Sequence, residues 1–105
     1  MIKINGKVWR VRLVPPHHPM LITRDGSPAI GCCDDITKTI YISNILSESF
    51  MEKVLCHEIV HAVMYSYDID ISDSVEEIVA DFLTHYGSEV FSLTHITYDK
   101  MLQWK

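Results

Sequence analysis

The chain lacks most of what would place it outside the ordinary globular class. No stretch approaches the roughly 18 consecutive apolar residues of a membrane span. Its first residues mix Lys3, Lys7, Arg10 and Arg12 with single apolar side chains, so no signal-peptide apolar core follows the basic start. A cytoplasmic protein with no membrane partner is the expectation. Cysteine is scarce: Cys32, Cys33 and Cys56 form an odd set with an adjacent pair. They match no zinc-ribbon spacing, which reads as reduced thiols in a reducing compartment. Positive charge is missing from a whole half of the molecule. Between Val54 and Asp99 there is no Lys or Arg, while Glu58, Asp68, Asp70, Asp73, Glu76, Glu77, Asp81, Glu89 and Asp99 lie there. Such a field repels a phosphate backbone and attracts cations, so a nucleic-acid partner is not expected and a divalent metal is favoured.

What is present is an apolar fraction of 48% with 22% charged residues, a balance that argues against disorder. With 105 residues the chain can build one core, so residues 1–105 read as a single domain. Asn5-Gly6 between alternating runs predicts a type I′ hairpin over residues 2 to 14, ended by Pro15 and Pro16. Leu21-Ile22 reads as a short strand and Asp25-Gly26 as a turn. His17 and His18, beside Pro19, read as loop residues. Ala29 to Cys33 and Thr39 to Ser43 read as a second hairpin around Asp34 to Lys38.

Two helices are expected next. Ser49-x-x-Glu52 has the form of a capping box and starts a helix from Phe50 to about Tyr65; Ser74-x-x-Glu77 starts another that Gly87 ends after Tyr86. The second helix carries an apolar stripe of Val75, Ile78, Val79, Phe82 and Tyr86. A third helix is expected from Ser88 to about Trp104, where Val90, Leu93, Thr97, Met101 and Trp104 recur at helical spacing. Its Thr94, Ile96 and Thr97 are β-branched and weaken that reading. The resulting class is α+β, a small twisted antiparallel sheet packed on two or three helices.

The chemistry lies in His57-Glu58-Ile59-Val60-His61, the pattern HExxH. Residues four apart share a helix face, so both imidazoles point one way with Glu58 a step round from them. Leu55, Ile59, Ala62 and Val63 fall on the opposite, core-building side, while Phe50 and Val54 fall on the side of the histidines and can wall a pocket. An apolar helix gains nothing from such a group unless a metal partners it, because a buried unpaired charge costs several kcal/mol. Catalytic zinc takes three protein ligands and leaves one position open. The continuation HExxHxxGxxH is ruled out by Met64 and Tyr67.

Glu77-Ile78-Val79-Ala80-Asp81 resembles the ExxAD signature that follows HExxH in gluzincin peptidases, and in particular the small ImmA/IrrE-type metallopeptidases of phages, mobile elements and bacteria. The resemblance spans roughly Thr39 to Gly87. It departs where that family continues with a Phe-Ala pair and a Leu-Leu-Met-Pro-like run, since this chain has Leu83-Thr84-His85-Tyr86-Gly87. The resemblance implies a zincin-like fold, Zn2+ held by His57, His61 and Glu77, and a close helix approach at Ala80. It further implies that Asp81 hydrogen-bonds a ligand histidine. Glu77 can also serve only to close the capping box, and Glu76 is the competing ligand. The implied activity is hydrolysis of a peptide or protein substrate by a zinc-activated water with Glu58 as general base. Its implied setting is regulatory proteolysis of a repressor-type protein. An oxyanion donor would come from Tyr65, Tyr67, Tyr86, His85 or His95. By analogy with zincins, an edge strand of the 29 to 43 hairpin would hold an extended peptide. The alternative is a non-catalytic metal-binding or protein-interaction module on the same fold.

Overall fold

The computed structural model describes residues 1–104. Four strands are followed by two helices: β1 (Ile2–Ile4), β2 (Lys7–Val14), β3 (Gly31–Asp34), β4 (Thr39–Ser43), α1 (Glu48–Ser66) and α2 (Asp73–Leu102). Asn5 and Gly6 both take positive φ, 49° and 76°, as the type I′ turn between β1 and β2 requires. The sheet order is β1-β2-β4-β3. β1 and β3 lie antiparallel to their neighbours, but β2 runs parallel to β4, with Arg10 beside Thr39 and Val14 beside Ser43. The sheet is therefore mixed rather than antiparallel: the long excursion from Pro15 to Ile30 returns the chain to the end of the sheet where β2 finished, β3 runs back along it, and the hairpin then turns β4 parallel to β2. Part of that excursion is a 3₁₀ turn, Pro19–Leu21, in place of the expected strand; His18 Nδ1 accepts the Met20 N–H at 3.1 Å and caps it.

β4 is buried along its whole length and forms the spine of the core. Trp9, Ile40, Ile42, Val54 and Ala62 make the main cluster, with Leu55 and Ile59 of α1 packed against it. One polar lock closes this core: the Trp9 indole N–H donates to Ser66 Oγ at 2.8 Å, both residues being fully buried. Asn5 Nδ2 and Lys7 Nζ donate to the Ser66 carbonyl at 3.0 and 3.2 Å, so the first hairpin supplies donors and a positive charge where the α1 dipole is negative.

Both helix starts lie earlier than the capping boxes place them. α1 begins at Glu48 after Ser47, and α2 at Asp73 after Ser72, whose hydroxyl accepts the Val75 N–H at 3.3 Å. At the other end of α1, Asp68 takes φ 51°, the Ile69 N–H reaches the Met64 carbonyl at 3.0 Å and the Asp68 N–H reaches Tyr65 at 3.2 Å. This is a Schellman stop with Asp in the left-handed position usually held by Gly. Gly87 does not end a helix. It has no positive φ, and α2 runs through it for 30 residues, so the expected second and third helices are one.

Candidate metal centre

α1 and α2 face each other across a cavity of about 660 Å³, floored by the HExxH turn and closed on one side by Pro28 to Gly31 at the entry to β3. Gly31 is required for that closure: a Cβ there would lie 2.8 Å from Val54 Cγ1 and 3.1 Å from Glu58 Cγ. Phe50, Lys53 and Val54 line the cavity from α1, and Glu77, Asp81, Thr84 and His85 from α2.

Helical spacing puts His57 and His61 one turn apart, with ring centroids 5.0 Å from each other. The Glu77 carboxylate spans them, one oxygen 3.1 Å from His57 Nε2 and the other 2.9 Å from His61 Nε2. Ligand atoms from these three residues all lie within 4.8 Å of one another. Two neutral imidazoles and a carboxylate are the donor types that Zn2+ takes in three-ligand sites, so the residues present fit that ion. Glu76, the competitor of Glu77, lies behind the group: its Oε1 sits 2.6 Å from His61 Nδ1, with both side chains largely covered. A carboxylate there holds the imidazole with Nε2 free to face the centre. Asp81 does reach a histidine, at 3.3 Å, but through His57 Nε2, the nitrogen that Glu77 also approaches. It thus stands on the ligand side of the ring.

Glu58 is 7% exposed and lies beside the histidines with Oε2 3.9 Å from His57 Nδ1. Burial pushes its carboxyl above the ordinary value, the two histidines oppose that, and Glu77 adds to it. Of the five oxyanion candidates, His85 alone lines the cavity, and its Nδ1–H donates to the Asp81 carbonyl at 2.8 Å. Tyr86 packs on Phe82 instead, and His95 pairs with Asp99 at the far end of α2. The three thiols are free and stand outside the His57, His61 and Glu77 group; Cys33 packs on the main core, and burial pushes its thiol well above the ordinary range. His18 caps its turn and stacks on Tyr41.

The site therefore sits on a small α+β fold with a mixed four-stranded sheet and a pair of helices. No family model matches the chain, and comparison with curated proteins and with solved structures gave no match. Among the described residues no helix is long and apolar enough to cross a membrane.

Proposed function

We propose that the chain is a minimal zincin-like peptidase of gluzincin type, resembling the ImmA/IrrE group, that hydrolyses peptide bonds in a peptide or protein substrate. The observation that carries this reading is the convergence of His57 Nε2, His61 Nε2 and the Glu77 carboxylate within 4.8 Å, with buried Glu58 at their side in an open cavity. His57, His61 and Glu77 would hold Zn2+, and Glu76 fixes the His61 ring. When bound, zinc supplies a Lewis acid that makes a water nucleophilic near neutral pH and polarises the scissile carbonyl. Glu58 takes the proton from the attacking water and passes it to the leaving nitrogen, a transfer aided by a carboxyl raised toward the working pH by burial. His85, which lines the cavity from α2, is the side chain that would face the developing oxyanion. The free edge of β3, beside Gly31, offers an extended substrate a strand to pair with. Regulatory cleavage of a repressor-type protein in the cytoplasm, in a phage or mobile-element setting, is the role that the resemblance supports.

The test is Glu58→Gln. Zinc content should stay at that of the wild type, and cleavage of a peptide library should fall by at least about 100-fold. Equal cleavage by the variant would sink the mechanism. A second reading draws on Asp81, whose carboxylate approaches the same His57 nitrogen as Glu77. A fourth protein donor would close the site to water and make it a metal-binding module without catalysis. Wild-type protein that holds zinc and cleaves nothing would select this reading.

A further inference from the structure

α2 is far longer than its neighbour. Its first part packs on α1, with Ala80 fully buried, whereas every residue from Ser88 to Leu102 is exposed. An isolated helix of that length is marginal in water, and Thr94, Ile96 and Thr97 weaken it further. Roughly a third of a turn round from the face on α1 runs a second apolar stripe: Val79, Phe82, Tyr86, Val90, Leu93 and Met101. Within it Val79, Val90 and Met101 recur at intervals of eleven, as do Phe82 and Leu93. An eleven-residue period keeps an apolar seam aligned along a nearly straight helix, the pattern of a helix paired with another long helix. Size makes the same point. A folded chain of 12.1 kDa exposes about 6,000 Å² by the usual scaling, against 7625 Å² here. The excess of about 1,600 Å² is twice the ~800 Å² that each partner gives to a standard interface.

We infer that the α2 arm pairs antiparallel with the same arm of a second copy, making the protein a homodimer. Charge selects this partner and direction. Glu89 and Lys100 flank the stripe on one side. In an antiparallel pair centred between Thr94 and His95, Glu89 of each copy lies beside Lys100 of the other, and the exposed arms overlap along their full length. A parallel pair would carry the two copies of this flank to opposite sides of the seam, so Glu89 and Lys100 would not meet. Glu77, Asp81, Thr84 and His85 lie outside the stripe, so pairing leaves the cavity open.

Sedimentation equilibrium of the full chain from low-micromolar to near-millimolar concentration tests this. The wild type should reach twice 12.1 kDa. Leu93→Glu, at a site exposed in the single chain, should weaken association about 100-fold or more, while amide NMR shifts of the sheet and α1 show that the fold is kept. Glu89→Lys and Lys100→Glu should each weaken the dimer up to about tenfold, and the double exchange should recover it. A wild type that stays monomeric throughout overturns the proposal, as does a dimer indifferent to Leu93→Glu. A double exchange no tighter than either single change overturns the antiparallel register.

Discussion

Glu76 and Glu77 are adjacent in sequence and meet the two sides of one imidazole. Glu76 approaches His61 Nδ1 from a largely covered position, and Glu77 approaches Nε2 from the half-exposed cavity side. The sequence favours Glu77 as the candidate ligand, since it puts Asp81 one turn on, and keeps Glu76 as its competitor, because neighbours on a helix differ by only 100° and either can face α1. The separation of roles has a measurable consequence. Glu77→Ala should abolish stoichiometric zinc binding, whereas Glu76→Ala should keep the stoichiometry and weaken affinity by about 10- to 100-fold, as read by competition with a chromogenic chelator. A second residue-scale expectation concerns the loop that leads to the cavity wall. Asp25 accepts hydrogen bonds from the Ser27 and Thr23 hydroxyls and from the Ser27 N–H, which lower its carboxyl from the ordinary 3.8 to about 2. A lowered carboxyl favours the folded loop above the unfolded value and loses that effect as pH falls through about 2. Carboxyl-carbon NMR should therefore show Asp25 titrating near that value, with the Ser27 amide shift moving in step.

At the scale of elements, the HExxH helix and the β3–β4 hairpin were legible because each is set by local pattern: apolar periodicity in one, β-rich runs about a turn in the other. The β2–β4 pairing was not, since parallel register depends on where a long connection returns and no local signal encodes it. Gly87 misled for a related reason. A glycine after an apolar stripe matches a helix stop, but a stop needs the left-handed conformation and partners for the last carbonyls, and the chain beyond Gly87 provides neither. Within a continuous helix a glycine is only a weak link. A Cβ at Gly87 would meet Leu83 at 3.5 Å, an ordinary contact. Gly87→Ala should therefore raise the thermal midpoint, by the equivalent of about 0.5–1 kcal/mol, in calorimetry of the full chain.

Across the whole molecule, the division of charge seen in the sequence becomes a division of labour. The basic first hairpin seats the end of α1, and the acidic half of the chain carries the His57, His61 and Glu77 group. The radius of gyration, 16.2 Å, exceeds the roughly 13 Å of a compact chain this size because α2 projects from the body. The lock between Trp9 and Ser66 spans these parts, and Trp9→Phe should cost about 1–3 kcal/mol in urea unfolding by leaving the Ser66 hydroxyl without its donor. That lock also orders events in time. Asn5, Lys7 and Trp9 find their partner 61, 59 and 57 residues downstream, so the segment made first on the ribosome waits for the end of α1 before it is fixed. Closing so wide a loop is slow compared with winding a helix. In stopped-flow refolding, burial of the Trp9 indole should coincide with the last kinetic phase, and Trp9→Phe should speed unfolding more than it slows folding.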